Sequence, residues 1–348
     1  MSEGFNIKNN YHQSVLLESS VEALELRPTD YVIDGTFGRG GHAKLILEKL
    51  GPEGLLIGID KDPEAIEYGQ NQFANEIKAG KLKLIQGSFG ELKNLIPEKL
   101  LGKINAVFLD LGVSSPQLDN PSRGMSFMKD GPLDMRMDIS SGQTVEDLLK
   151  HISESALADI LFQYGEEKFS RRIAGKIIKA REAGPISSTL ALADIIKHAI
   201  PAKFRDPHKH PATRSFQALR IFINKELEDL DLFLDQIEII LAPGGRLGII
   251  SFHSLEDRRV KQFFNQKIKS SDVLENLKNS NTVGLSIKDI QALRQLSALK
   301  HHGADSVKLP KWYLVAKKIK PTEEEIAKNT RARSALLRVG VYHGGVKN

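Results

Sequence analysis

The sequence of 348 residues contains no cysteine. Without thiols the chain forms no disulfide, no thiolate zinc site and no cysteine nucleophile, and it fits a reducing compartment. Long apolar runs are missing as well, since none approaches the ~18 residues that a membrane helix needs. The first ten residues also lack the apolar core of a signal peptide. These absences predict a cytoplasmic protein with no membrane partner.

Net charge is also small, with 49 Lys and Arg against 44 Asp and Glu and a formal charge of +5. The charges are unevenly distributed along the chain. Residues 161–225 contain 13 Lys and Arg but only 5 Asp and Glu, so the remainder of the chain is slightly acidic. A local basic excess predicts that this segment, rather than the whole surface, meets a polyanionic partner.

Between residue 31 and about residue 112, apolar runs alternate with stretches of helical period, the pattern of βαβ units around a parallel sheet. The predicted strands are Tyr31–Gly35, Leu55–Asp60, Leu82–Gln86 and Ile104–Leu111. The predicted helices lie near His42–Leu50, Pro63–Ile77 and Glu91–Ile96. Residues 112–138 then form a loop too long for an ordinary connection, which we therefore expect to be functional.

Helical periodicity dominates after this loop, and strand patterns return only in the last third of the chain. The predicted helical segments are Val145–Ala199, Ala212–Leu241 and Leu255–Ile268. The predicted late strands are a buried one within residues 242–254 and an antiparallel pair, Trp312–Lys317 and Ala335–Val341. Residues 269–309 are polar and weakly periodic, which predicts a variable or mobile segment. We expect an α/β fold in which residues 1–120 and 216–348 form one domain and residues 121–215 form an inserted helical domain.

A glycine-rich segment follows the first predicted strand. Gly38, Gly40 and Ala43 fit the pattern G-x-G-x-x-[GA] between a strand and a helix. Asp60 ends the next strand, 22 positions after Gly38, where a carboxylate can bind both hydroxyls of a ribose. This combination predicts an adenosine-containing ligand. Asp34, at the end of the first strand, disfavours a pyrophosphate, so the ammonium and sulfonium groups of S-adenosylmethionine suit the site better than NAD does.

A second polar group follows the fourth predicted strand, where open parallel sheets bind ligands at their carboxyl edge. Asp110 ends the strand, and Ser114, Ser115, Pro116 and Gln117 follow it. The exocyclic amine of a base is a poor nucleophile because its lone pair is delocalised into the ring. Acceptors that hold its hydrogens out of the plane favour the reactive form, and alignment supplies much of the remaining acceleration. We therefore predict Asp110, Ser114, Ser115 and Pro116 as a catalytic segment that positions an amine.

Six runs of sequence, in order over nearly the whole chain, are long enough to identify a family. They are HQSVLLE (His12–Glu18), DGTFGRGGH (Asp34–His42), DLGVSSPQLD (Asp110–Asp119), RGMSF with GPLDMRMD (Arg123–Asp138), GGRLGIISFHSLEDR (Gly244–Arg258) and NTRARSALLRV (Asn329–Val339). Together they resemble the family of ribosomal RNA small subunit methyltransferase H, the RsmH or MraW family. The resemblance implies a Rossmann-like class I methyltransferase fold and S-adenosylmethionine-dependent N4-methylation of a cytidine in the decoding region of bacterial 16S rRNA. It also implies 16S rRNA or the small ribosomal subunit as the partner, and it leaves open whether the protein forms a homodimer.

The same resemblance implies a cofactor site, which comprises Gly40, Gly41, His42, Asp60, Phe89, Asp110 and Gln117. In it Asp60 binds the ribose and Phe89 flanks the adenine. Many amine methyltransferases carry an aromatic residue after the proline to stack on the everted base, but here Gln117 follows the proline. The stacking residue is therefore open among Met125, Phe127 and Phe252. His253 and Glu256 are further candidates for substrate contacts, and no metal is expected.

Basic residues recur at helical spacing within the helical block, by which we mean the predicted inserted domain of residues 121–215. Lys168, Arg172, Lys176 and Lys179 share one predicted helix face, opposite Ile173 and Ile177. We expect this face to contact phosphates, with an ordinary solvated face as the alternative. The nearby basic residues are Lys203, Arg205, Lys209, Arg214 and Arg220. Four histidines have no carboxylate or thiolate at metal-ligand spacing, and we expect them to have structural or surface roles. They are His208, His210, His301 and His302.

Three other functions compete with RNA methylation. A DNA amino-methyltransferase would need a region that reads base edges in the major groove. A nicotinamide-dependent oxidoreductase would need a second mononucleotide half and a hydride-acceptor site, and the sequence offers neither. A non-catalytic RNA-binding module is disfavoured because the cofactor motif is intact.

Overall fold

The computed structural model describes residues 14–269 and 311–344. Within these residues, seven strands form one sheet in the order β3-β2-β1-β4-β5-β7-β6. They are β1 Tyr31–Asp34, β2 Leu55–Asp60, β3 Leu82–Gln86, β4 Ile104–Asp110, β5 Leu241–Ser251, β6 Trp312–Ile319 and β7 Leu336–Tyr342. Strands β1 to β5 pair in parallel, while β7 is antiparallel to both of its neighbours. Every predicted strand is found, and the predicted Rossmann-like α/β fold is confirmed.

Helices surround this sheet and fill the long stretch between β4 and β5. They are α1 Leu17–Ala23, α2 Gly41–Lys49, α3 Pro63–Gln72, α4 Ala74–Lys78, α5 Leu92–Leu95, α6 Ser115–Asp119, α7 Val145–His151, α8 Glu154–Gly165, α9 Ser170–Ala183, α10 Thr189–Ala199, α11 Thr213–Asn224, α12 Glu226–Ile240, α13 Ser254–Lys269 and α14 Glu323–Lys328. Among the described residues, no helix has both the length and the apolar character needed to span a bilayer.

Side chains of the strands alternate between two hydrophobic cores, one on each face of the sheet. Val32 and Phe108 belong to the core that includes residues of α2, whereas Ile33 and Leu109 belong to the core that includes residues of α12 and α13. Because both faces are covered, the parallel strands are near-continuous apolar runs, as in INAVFLD of β4.

Three neighbouring parallel strands end on an aspartate, namely Asp34, Asp60 and Asp110. Since β1 lies between β2 and β4, the three carboxyl ends meet at one edge of the sheet. Asp34 is in register with Gly58 and with Phe108. Asp60 and Asp110 therefore extend beyond the end of β1 on its two sides, and the topology gathers three carboxylates at the site where such sheets bind ligands.

Helices α7 to α11 form a further hydrophobic core, separate from the two cores of the sheet. The period of the sequence explains this packing, because α9 buries Ile173, Ala174 and Ile177 on one side. The assignment of residues 121–215 as a separate inserted domain stays a prediction.

Two predicted helices are interrupted in the structure. The prediction of one helix over Ala212–Leu241 is wrong, since α11 and α12 are separated at Lys225, which has a left-handed φ of 52°. Left-handed backbone is typical of glycine or asparagine rather than lysine, so the sequence carries no signal for this break. The predicted helix Pro63–Ile77 is likewise divided, at Phe73.

Part of the sequence-based predictions lies outside the described residues. This holds for residues 270–310, which include most of the segment expected to be variable together with His301 and His302. It also holds for His12 and Gln13, the first two residues of the first matching run.

Candidate active site

A cavity of about 870 Å³ lies at the carboxyl edge of the parallel strands. Its walls come from the segments that follow β1, β2, β3, β4 and β5. The predicted site residues that line it are Gly40, Gly41, His42, Asp60, Phe89, Asp110, Ser114, Ser115, Pro116 and Gln117. All ten residues selected from the sequence therefore surround a common space.

The glycine loop forms one wall of the cavity, and it has no room for a side chain at Gly40 or Gly41. Gly40 caps the start of α2 with a φ of 72°, and a Cβ at this position would lie 2.5 Å from the ring of Phe73. A Cβ at Gly41 would lie 1.9 Å from Oγ of Ser14. The loop thus presents bare backbone to the cavity, which is what close approach of a ligand requires.

Asp60 is held at the end of β2 by two backbone amides. Its Oδ2 accepts a hydrogen bond from Gly38 N at 2.7 Å, and its Oδ1 accepts one from Asp62 N at 2.9 Å. Burial is the main reason that the pKa of Asp60 rises to about 6, although both hydrogen bonds oppose the rise. Each oxygen has a second lone pair, so the carboxylate can also accept from hydroxyl groups in the cavity.

Asp34 and Asp110 lie close enough to repel one another. Burial raises the pKa of Asp34 to about 7, against the hydrogen bond from Thr36 N. Burial also raises the pKa of Asp110 well above its usual range, and the charges of Asp34 and Glu256 add to the effect. Asp110 lines the cavity, and its buried Oδ1 has no hydrogen-bond partner among the described residues. A cation in the cavity would relieve this repulsion, whereas a pyrophosphate would increase it.

His42 is a neutral, buried member of the site. Its Nε2 donates to the carbonyl of Val15 at 3.1 Å, and its ring packs on Phe108 at 4.5 Å between centroids. Burial lowers the pKa of His42 to about 4, so the ring is uncharged at neutral pH. Its Nδ1 lies 3.7 Å from Oδ2 of Asp110, too far for a hydrogen bond.

A buried network that the sequence did not predict fixes the segment after β4. Gln117 accepts from Ser114 N at 2.9 Å through Oε1 and donates to Asp62 Oδ2 at 2.8 Å. Arg123 Nη1 donates to the same oxygen at 2.8 Å, and its Nη2 donates to the carbonyl of Met137 at 2.8 Å. The network links the segment after β2, which carries Asp62, to the long loop after β4. Arg123 lies within a matched run, but nothing in the sequence indicates that Asp62 is its partner.

The three candidates for base stacking have different surroundings. Phe252 follows β5 and lines the cavity. Phe127 instead packs between His210 and Phe216 in the helical core, with ring centroids at 4.6 and 4.8 Å. Met125 is buried and is not part of the cavity wall. Of the three, only Phe252 is available to a ligand in this cavity.

His253 and Glu256 belong to a small ionic cluster, of which Glu226 and Glu256 line the cavity. Glu256 Oε2 accepts from the backbone amides of Phe252 and His253, at 2.8 and 3.3 Å. Glu226 binds Arg220 through both oxygens, at 2.7 and 2.8 Å. Glu226, His253 and Glu256 lie close enough together to be considered as ligands of a metal ion. However, three of their four carboxylate oxygens already accept hydrogen bonds from protein donors. Arg220 is paired here and is not part of the exposed basic surface.

The basic residues of α9 lie as their spacing predicts. Arg172, Lys176 and Lys179 are exposed on α9, opposite the buried stripe of the helix, and Lys168 is exposed two residues before the helix begins. Arg214 is also exposed, while Arg205 is half-buried. Exposed cations therefore lie on α9 and α11 of the helical block.

The chain resembles the following known proteins. The model of the MraW methylase family matches residues 9–341. An inferred rRNA methylase from Clostridium thermocellum aligns at 11% identity over 94% of this chain and 98% of its own, with a TM-score of 0.41. An rRNA methylase from Streptococcus thermophilus aligns at 11% identity over 93% and 94%, with a TM-score of 0.34. An S-adenosylmethionine-dependent O-methyltransferase from Thermotoga maritima aligns at 8% identity over 94% and 64%, with a TM-score of 0.37.

Proposed function

Because the chain belongs to the MraW methylase family, we propose that it methylates ribosomal RNA with S-adenosylmethionine as the donor. The proposed acceptor is N4 of a cytidine in the decoding region of 16S rRNA, either in the RNA alone or in the small ribosomal subunit, and the proposed location is the cytoplasm. One observation carries the proposal: three carboxylates converge beside a glycine-walled cavity, and one oxygen of Asp110 has no partner within the described part of the chain.

The residues around the cavity fit a cationic donor that contains adenosine. Asp110 offers an unsatisfied oxygen, and Asp34 behind it adds negative charge. Asp60 has acceptor capacity for the ribose hydroxyls. Phe89 is steadied by an edge-on contact with Phe233 at 5.9 Å, so its ring suits the side of an adenine. The bare backbone of the glycine loop suits the methionine part.

When bound, S-adenosylmethionine supplies a methyl group activated by the positive sulfur. The residues of this chain then have to align the acceptor and manage its hydrogens. We assign Asp110, with Ser114, Ser115 and the Pro116 turn, to accept hydrogen bonds from the amine. As the N–C bond forms and the S–C bond breaks, the nitrogen must release one proton. The raised pKa of Asp110 makes its ionised carboxylate a competent acceptor for that proton.

The base has to leave its stack to reach the cavity. We assign Phe252 to stack on the everted cytosine, because it lines the cavity and is aromatic. We assign the exposed cationic face of α9 to phosphates flanking the target, which makes the block at residues 121–215 the proposed RNA-recognition unit.

The test compares the wild-type protein with Asp110→Ala in transfer of a labelled methyl group to small ribosomal subunits. We expect a loss of at least about 100-fold, since the variant loses both alignment and charge stabilisation, with an unchanged circular dichroism spectrum. Asp235→Ala, which removes an exposed carboxylate on α12, is the matched control and should retain turnover.

Two further measurements separate the competing functions. Calorimetric titration with S-adenosylmethionine and with NADH should give binding of the former only, and binding of NADH alone would indicate an oxidoreductase. Methylation of duplex DNA in the absence of ribosomal material would indicate a DNA amino-methyltransferase instead.

A further inference from the structure

We propose that Phe204 is a platform on which an unpaired RNA base stacks, an inference that rests on the proposed RNA substrate. Phe204 ends the short 3-10 turn Ala202–Phe204 between α10 and α11, and its exposed fraction is 57%. A single exposed apolar side chain is ordinary on a protein surface. The proposal therefore depends on how this ring is held and on what surrounds it.

The ring of Phe204 is held in place by its neighbours. Phe169 packs against it with ring centroids 5.3 Å apart. Arg205, the next residue, donates from Nε to the carbonyl of Ile200 at 3.0 Å and from Nη2 to the carbonyl of Lys197 at 2.8 Å. These bonds tie the turn to the end of α10. An aromatic ring fixed in this way loses little conformational freedom when a base stacks on it.

Basic residues lie near the ring. Lys203 Nζ lies 4.9 Å from the centroid of Phe204. Phe169 directly precedes α9, and the exposed cations Lys168 and Arg172 lie within three residues of it in the sequence. Rings set among cations are typical of surfaces that bind single-stranded nucleic acid, where the cations contact phosphates and the rings stack on bases. This charge favours RNA over an apolar protein partner.

Contacts also connect the platform to the wall of the cavity. Phe169 lies three residues after Glu166, whose Oε2 accepts from Ser254 Oγ at 2.7 Å. Ser254 lies two residues after Phe252, which lines the cavity. The platform thus belongs to the part of the helical block that meets the segment after β5. An RNA strand with one base in the cavity would bring a neighbouring unpaired base towards Phe204.

The test measures binding of a fluorescein-labelled oligoadenylate of about ten nucleotides by fluorescence anisotropy. This probe offers stacking faces but no cytidine. We expect Phe204→Ala and Phe204→Leu to weaken binding by at least about fivefold, and Phe204→Trp to stay within about twofold of wild type. Phe162→Ala is the matched control, because Phe162 has a similar exposed fraction, 62%, on α8 of the same block, and it should leave the affinity unchanged.

Several outcomes would overturn the platform. Equal binding by wild type and Phe204→Ala, full binding by Phe204→Leu, or an equal loss in Phe162→Ala would each contradict stacking while leaving the proposed methylation intact. Reduced methylation of small subunits by Phe204→Ala with unchanged oligoadenylate affinity would indicate a protein contact and would also contradict it. A wild-type protein that binds S-adenosylmethionine but no RNA would overturn both proposals.

Discussion

Substitution of Asp34 should raise the stability of the protein and lower its affinity for S-adenosylmethionine. Asp34 is almost fully buried behind the cavity wall, and its Oδ1 accepts from Thr36 N at 3.2 Å. The Asp34→Asn variant keeps the size and the acceptor oxygen but removes the charge. We expect it to be more stable than wild type at alkaline pH and to bind S-adenosylmethionine more weakly.

The magnitude follows from the pKa of Asp34, which burial raises from 3.8 to about 7. At 1.36 kcal/mol per pKa unit, ionising this carboxyl in the folded, ligand-free protein costs about 4 kcal/mol. Because the folded pKa lies above the unfolded one, the stabilising contribution is complete below pH 3.8 and is lost as the pH rises through about 7. Asp34→Asn does not titrate, so its advantage over wild type should grow by about 2–3 kcal/mol between about pH 5 and pH 8.

Urea denaturation at both pH values measures this advantage, and calorimetry at the higher pH measures the affinity for S-adenosylmethionine, which should fall about tenfold or more. Asp30→Asn is the matched control, since Asp30 is also buried and accepts a backbone hydrogen bond, from Arg27 N at 2.8 Å, but precedes β1 at its other end. It should leave the donor affinity unchanged. A stability difference that does not vary with pH, or wild-type affinity in Asp34→Asn, would contradict the role assigned to the charge of Asp34.

The remaining predictions concern the loop, the buried network and the basic face. Gly40→Ala should lower both the stability of the protein and its affinity for S-adenosylmethionine. Gly80 has a similar φ of +74°, but a Cβ there would have nothing within 4 Å. Gly80→Ala should therefore cost only about 1 kcal/mol in urea denaturation. Arg123→Ala should cost about 3–5 kcal/mol in the same assay, because it leaves buried acceptors without their donor. Reversing Arg172 and Lys176 together to Glu should reduce the magnitude of the salt slope of RNA binding by about two, and an unchanged slope would remove the proposed phosphate contact.

Much of the fold and of the site follows from local sequence, since each parallel strand is a short apolar run and each site carboxylate ends one. Asp34, Asp60 and Asp110 could be identified because the carboxyl edge of a parallel sheet is a general ligand site. Gly40 could be identified because a left-handed residue at a strand-to-helix turn favours glycine.

Other features depend on contacts between distant segments. The left-handed Lys225 that separates α11 from α12 has no signal in its residue type. The bond between Arg123 and Asp62 joins residues 61 positions apart, and each has ordinary local uses, Asp62 as the cap of α3. Phe127 and Phe252 are the same residue type, and only tertiary packing places Phe127 in the helical core and Phe252 in the cavity wall.

The most direct measurement of the central claim is nucleoside mass spectrometry of small-subunit rRNA after incubation with the protein and S-adenosylmethionine that carries a deuterated methyl group. We expect labelled N4-methylcytidine with wild-type protein and none with Asp110→Ala. Label on a different nucleoside, or no label in rRNA from a preparation that binds the donor, would contradict it.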